Sequence, residues 1–463
     1  MDIRFTLQAE YAGAQFVAGP FNLYGYTAAA PSTPILLSPT PVSKAQLLAG
    51  HVVSTASNIV GGTIQSTGTC STTPPEAYTL QFSSGPVIIG SFNNYGTNSD
   101  VGIVKLTNTL GLDSTFNVGS GFGIDSYLDE TGPMSIAKVS NGKIVVGGVF
   151  TSYDGVSTYG IVRLNPDGSR DYTFSGVGTY FNGRIILSVD VQSDGKIIVG
   201  GCNSTNLTSI SDGAGMLIRL NLNGSQDTTF IPSSTLLYGT VRVVRVLPQD
   251  NDNILVAGNN FGLMKFSPIG NYLWGDTSVM PINTGDGLGP FSCLDLDRSG
   301  RIMIGGLWNS IFGNAAFGGN GPVRINAAGV FDNSWLPKCN GRVTSMVESN
   351  ATANEVVIVG TFTAVNLQTR NGIVTVNTNG TAVGTFNTTA TYDTSIDPVN
   401  TWFPGSRISV LSNGNLLWMG KMNSVNSQPA YKNIVVLNPS NGTLITTPTG
   451  LSNLAIYRGS ANF

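Results

Sequence analysis

Residues 143–174 read KIVVGGVFTSYDGVSTYGIVRLNPDGSRDYTF, and both halves of that stretch recur along the chain. The first half is a run of aliphatic residues closing on glycine. It returns as PVIIGSF from Pro86, KIVVGGVF from Lys143, KIIVGGC from Lys196, NILVAGNNF from Asn253, RIMIGGLW from Arg301, EVVIVGTF from Glu355 and NLLWMGK from Asn415. The copies follow one another at roughly 55 residues, a spacing that signals a repeat architecture. The second half runs from an apolar residue, through a turn, to an aromatic ten positions on. It spans Leu106 to Phe116, Leu164 to Phe174, Leu220 to Phe230, Ile325 to Trp335 and Val376 to Phe386. In the fourth repeat FSPIGNYLWGD, from Phe266, offers Trp274 instead, and in the seventh LNPSNGTLITT, from Leu437, ends in Thr447.

Between the aliphatic runs lie Asp167-Gly168, Asp194-Gly195, Asn141-Gly142, Asn223-Gly224, Ser299-Gly300 and Asn413-Gly414. Such pairs accept the positive φ of tight hairpin turns. No segment keeps a helical period, so each repeat reads as four short antiparallel strands. One such sheet cannot bury both faces, whereas seven packed radially can, leaving only short protected edges. The expected fold is all-β: a seven-bladed β-propeller preceded by a small β-rich N-terminal domain. A linear β-solenoid is the competing arrangement, but its coils usually repeat at shorter intervals.

The domains divide as 1–75 and 76–463. Residues 1–75 show alternation and Pro/Gly breaks without the repeat signature; Val42 to Gly50 (VSKAQLLAG) suits a short helix, and Ser71-Thr72-Thr73-Pro74-Pro75 a stiff linker. At the other end LSNLAIYRGSANF, from Leu451, has the apolar pattern of a strand. The ring could therefore close by one end adding a strand to the other end's blade, and the sequence leaves open which strand does so.

Composition narrows the function. Charged residues make up 11% of 463 and the formal charge is −3, so no broad basic surface exists to release counterions from a nucleic acid. Asp2 and Arg4 fall where a signal peptide would build its apolar run, and no stretch reaches eighteen apolar residues. Neither a signal peptide nor membrane insertion is expected. Cys70, Cys202, Cys293 and Cys339 lack metal-ligand spacing and read as free thiols. His51 is the one histidine and lies outside the repeats, which removes histidine-based nucleophile systems and multi-histidine metal sites from the propeller.

Most aspartates fall in turns, as Asp167, Asp194, Asp212 and Asp252 do, where they cap their own backbone. Asn165, Asp167, Ser169 and Asp171, and likewise Asp295, Asp297 and Ser299, alternate like the start of a calcium loop but lack its closing glutamate. Hairpin turns explain the same atoms, so no metal, cofactor or catalytic residue is assigned. The acidic run holding Asp125, Asp129 and Glu130 is the best candidate for a functional cluster, and Tyr153, Trp308 and Trp402 are the aromatics outside the repeat register that suit surface contact. Phe116, Phe174, Phe230, Trp335 and Phe386, fixed in register, suit wedges between sheets.

The repeated wording GGxF followed by VRLNxDGSxDxTF resembles the delta-60 repeat family of bacterial and phage β-propellers over roughly residues 78 to 447. That resemblance implies the fold and no particular reaction. FNLYGYT, VSKAQLLAGHVV and IQSTGTC resemble small N-terminal modules of phage tail and other virion proteins. The expectation is a non-enzymatic structural or adhesion component of a phage virion or related particle: a tail fibre, baseplate or capsid appendage, made in a host cytoplasm and multimeric in the particle. Residues 1–75 would dock to other particle proteins and the propeller loops would meet a host glycan, a surface protein or neighbouring proteins. A bacterial cell-surface or secreted adhesion propeller is the alternative, and a carbohydrate-active enzyme with two facing carboxylates a third reading.

Overall fold

The computed structural model describes residues 85–90, 102–123, 132–203, 215–232, 239–259, 261–276, 280–281, 291–310, 321–392, 406–420, 422–427, 434–446 and 459–462. The N-terminal domain, with its short helix and linker, lies outside them. The described chain is strand and turn, with two single-turn 3-10 segments.

Seven antiparallel sheets follow one another. Blade 2 orders Gly132–Lys138, Ile144–Val149 and Ile161–Leu164 from the inside outward. Blade 3 repeats this with Ile185–Val191, Ile197–Cys202 and Gly215–Leu220. Blade 4 has Val241–Leu247, Asn253–Gly258, Gly262–Phe266 and a fourth strand, Tyr272–Asp276. Blade 5 has Phe291–Leu296, Ile302–Gly306 and Val323–Ile325; blade 6 has Val343–Glu348, Val356–Gly360 and Ile373–Val376. Blade 7 has Arg407–Val410, Leu416–Met419, Ile434–Leu437 and Leu444–Thr446.

Blade 1 answers the question of closure. Val87–Gly90 pairs outward with Ile103–Lys105 and inward with the C-terminal strand Gly459–Asn462, Val87 opposite Asn462 and Gly90 opposite Gly459. Each innermost strand lies against that of the next blade, and Gly459–Asn462 touches those of blades 7 and 2, so the ring is complete.

One apolar cluster fills each of the seven seams. Between blades 2 and 3, for example, Val145, Ile161 and Phe174 meet Ile186, Val189 and Val199. A glycine in the second strands of blades 2, 3 and 5 explains part of this closeness: a Cβ on Gly200 would come within 2.6 Å of Val241 Cγ1 and 2.7 Å of Val244 Cγ1 of the next blade. Gly147, Gly200 and Gly305 are packing requirements between blades, whereas Gly258, Gly360 and Gly420 admit the backbone of Thr240, Arg342 and Ser406 in their own blades.

The two faces of the ring differ. Turns from first to second strand and from third strand to the repeat aromatic are tight, most of them on a glycine such as Gly168 (φ 86), with Asn251, Asp252 and Asn354 holding the positive φ in the first turns of blades 4 and 6. At the opposite face the described second strands end and the third strands begin. There, small sheets tie neighbours together: Phe122–Gly123 pairs with Ser152–Tyr153, Met280–Pro281 with Trp308–Ser310, and Ala390–Tyr392 with Met422–Val425.

Candidate functional site

Charge in the repeats is concentrated in one arrangement. The residue before the turn is a cation, eight positions later comes an aspartate, two further a hydroxyl, and then the aromatic. Thus Arg163 Nε donates to Asp171 Oδ2 at 2.6 Å, Lys143 Nζ reaches the same oxygen at 2.9 Å, and Thr173 donates through N and Oγ1 to Asp171 Oδ1 at 3.0 and 2.6 Å. Asp227 takes the same part with Arg219, Lys196 and Thr229, Asp332 with Arg324 and Ser334, and Asp113 with Lys105 and Thr115. Burial works against the charge of Asp171, but hydrogen bonds from Lys143, Thr173 and Arg163 outweigh it and hold the carboxyl well below its ordinary range. The Thr229 hydroxyl, with Lys196 and Arg219, does so for Asp227.

Each cation also stacks on its own aromatic, and those of blades 2 to 5 reach the next blade. Arg163 lies 4.8 Å from the Phe174 ring centre and Arg324 4.9 Å from that of Trp335. Arg163 Nη1 donates to the Leu222 carbonyl, Arg219 Nη1 to that of Pro268, Lys265 Nζ to that of Ala327 and Arg324 Nη2 to that of Thr378. These four carbonyls occupy equivalent turn positions in blades 3 to 6. In blade 4 the carboxylate comes from Asp250 instead. In blade 6 Thr375 and Val383 stand in the two charged places, and in blade 7 Val436 stands in the cation's. The arrangement is a blade-to-blade latch, and its charges are occupied.

A second charged group lines the axis. Arg245, on the innermost strand of blade 4, places Nη2 2.9 Å from Asp295 Oδ1 of blade 5 and Nη1 3.9 Å from Asp190 Oδ2 of blade 3. Asp190 also accepts from Val191 N and, across the seam, from Val246 N, each at 2.8 Å. Burial pushes both carboxyls up and Arg245 pulls them back. Two positions earlier on the blade 5 strand, burial pushes the Cys293 thiol up to about 12. Two carboxylates tied to one guanidinium and to backbone N–H groups hold strands together.

The sequence-derived surface candidates divide in two. Asp125, Asp129, Glu130 and Trp402 lie outside the described residues, in segments whose flanking strands end at the face of long connections. Tyr153 and Trp308 are corrected: both are fully buried, at 0% exposure. Tyr153 sits in a hairpin folded back over the seam of blades 1 and 2, its hydroxyl donating to the Gly168 carbonyl at 2.6 Å and its ring edge-on to Phe122 at 4.9 Å. Trp308 packs on Phe291. The missed signal was in the repeat itself, since Trp308 of GGLW aligns with Phe150 of GGVF and Phe362 of VGTF, both buried.

The residues in calcium-like alternation do not converge on a point. Asp167 caps Ser169, Asp171 belongs to Arg163, Asp295 faces Arg245, and Asp297 accepts from Ser299 N, Arg301 N and Arg301 Nε. Among the described residues no three histidine, cysteine or acidic side chains come together as a metal set. Cys202 and Cys339 are buried and Cys293 is half-buried, none of the three in a disulfide. Phe116, Phe174, Phe230, Trp335 and Phe386 are all buried, each in the cluster between its own blade and the next.

The fold and its sites define a seven-bladed β-propeller held by repeated latches. Residues 87–116, 140–174 and 192–230, the repeat elements of blades 1 to 3, match the model of a domain of unknown function (DUF5122) beta-propeller. No curated protein matches the sequence. Among solved structures the chain is similar to a protein of unknown function from Bacteroides caccae, 12% identical over 65% of this chain and 92% of that one, with a TM-score of 0.32. It is also similar to YCF48 from Cyanidioschyzon merolae, at 12% identity over 70% and 87% and a TM-score of 0.37. The WD40 beta propeller domain of Doa1 is 10% identical over 71% and 88%, with a TM-score of 0.35.

Proposed function

We propose that this chain is a non-enzymatic interaction module, a structural or adhesion component of a phage virion or related particle. Residues 1–75 dock to particle proteins, and the face of long connections meets a host glycan, a host surface protein or neighbouring particle proteins. The observation that carries the reading is the occupation of the repeat charges: Asp113, Asp171, Asp227 and Asp332 are each held by a cation and a hydroxyl. Variation along the ring is left to the connections of one face, where rigid scaffolds carry recognition. The delta-60 wording of the repeats and the virion-like wording of FNLYGYT and VSKAQLLAGHVV add support.

The test is quantitative mass spectrometry of density-purified particles from the source culture. A fixed ratio of this chain to the most abundant capsid or sheath protein, held through successive purification steps, is expected. Its absence from particles, with the chain on cells or free in the medium, overturns the reading in favour of an adhesion propeller or an enzyme. Replacing Asp125 and Glu130 separates those two: turnover that disappears with them identifies the enzyme.

A further inference from the structure

Six seams share one construction and the seventh departs from it. Between blades 1 and 2 through to blades 6 and 7, an aromatic wedge enters each cluster: Phe116, Phe174, Phe230, Trp274, Trp335 or Phe386. The turn that each wedge meets carries a glycine with positive φ, at Gly168, Gly224, Gly270, Gly329, Gly380 and Gly442. The close approach requires it, for a Cβ on Gly380 would lie 2.7 Å from Leu336 N, and one on Gly442 would overlap Thr388 Oγ1.

Between blades 7 and 1 every one of these parts is replaced. By sequence register Val436 stands in the cation's place, as Thr375 also does in blade 6, Thr447 in the aromatic's and Leu110 in the glycine's. Leu110 holds φ 66, a left-handed conformation that costs a leucine energy, with its side chain 5% exposed inside an aliphatic cluster of Leu106, Leu417, Met419, Ile434 and Val436. The innermost strand that closes this seam is four residues long and belongs to the other end of the chain.

We propose that the ring is built to open here: Gly459–Asn462 leaves Val87–Gly90, and blades 7 and 1 part while the other six seams stay shut. Opening here breaks the four-residue backbone ladder of Gly459–Asn462 and parts aliphatic side chains, whereas parting any other seam must unseat an aromatic wedge from its glycine turn and, from blade 2 to blade 6, also break a cation's contact with a carbonyl of the next blade. Opening leaves blade 1 with two strands, a marginal unit, and bares the edge of Val87–Gly90, the kind of edge that accepts another strand.

Native-state alkylation of the full chain reads this directly, because Cys339 lies in the seam of blades 5 and 6 and serves as an internal reference. In a Val436→Cys variant, the introduced thiol, at a position as buried as Cys339 at 1%, is expected to react at least about tenfold faster than Cys339, the order of difference that local opening produces. Equal rates overturn the proposal. Adding Ala461→Pro, which removes an N–H from the strand opposite Ile88, is expected to accelerate the introduced thiol further and leave Cys339 unchanged. Acceleration of both thiols, the mark of global unfolding, or of neither, overturns it. Leu110→Ala, which trims the seam and keeps the turn, is read the same way should the proline variant fail to fold.

Discussion

Asp171 is a buried carboxylate whose protons have been displaced by partners. Replacing it by asparagine leaves Arg163 and Lys143 facing no negative charge, and breaking a buried pair from one side costs about 3–5 kcal/mol. Asp171→Asn is expected to lower stability by about that amount in denaturant titration. Asp190→Asn is expected to cost clearly less, because burial already disfavours the Asp190 charge and its guanidinium partner stands 3.9 Å away. The two kinds of carboxyl also respond oppositely to pH. Asp113, Asp171, Asp227 and Asp332 are depressed in the folded chain, so their stabilisation is present above the ordinary value of 3.8 and is lost as pH falls below it. Asp190 and Asp295 are raised, so they favour the folded state most when protonated and that share is lost as pH rises through their folded values. Unfolding midpoints of Asp171→Asn and the parent, measured from pH 7 down to 2.5, are expected to draw closer below pH 3.8 and still to differ at 2.5, because Asp171 stays ionised in the folded chain to well below that pH. The sequence revealed Asp171 as a turn residue and hid its pairing, because Lys143 and Arg163 come from two different strands.

Turns repeat the same lesson one level up. The hairpins that follow the second strands of blades 2, 6 and 7 hold positive φ at Asp154, at Asn366 and Leu367, and at Asn426 and Ser427. Leu367 has φ 65 and is 101% exposed, so its side chain offers no packing to offset the backbone cost. Leu367→Gly is expected to stabilise the chain by about 0.5 kcal/mol, the left-handed cost less glycine's added freedom when unfolded. Gly380→Ala, at φ 80 and with backbone close on its far side, is expected to destabilise it by about 1–2 kcal/mol or more, read from the same denaturant curves. The strands and tight turns were legible, since alternation and glycine pairs mark both. The hairpins were not: Tyr153, Val365 and Val425 occupy one buried position with differing side chains, so their register stayed invisible until the strands were paired.

Across the ring, the latches of blades 2 to 5 and the wedges of blades 1 to 6 run in one rotational sense, each gripping the turn of the next blade. That sense makes the two faces unequal in tolerance. A short epitope inserted between Asn366 and Leu367 is expected to leave the thermal midpoint unchanged, whereas the same insert between Asn223 and Gly224 is expected to lower it sharply, because the Asn223 carbonyl accepts Gly176 N from blade 2 at 2.8 Å. Ring size could be counted from seven aliphatic runs; which end supplied the closing strand could not, because pairing between residues 87–90 and 459–462 leaves no local mark on either segment.

That pairing sets an order of events on the ribosome. At about 5–20 residues per second, the partner of Val87–Gly90 emerges roughly 20–75 s after it. Through that interval blades 2 to 6 can latch in turn while the first blade waits with an open flank. The nascent chain thus carries its most adhesive edge for almost the whole of its own synthesis, and a product released a few codons early would keep that edge for good.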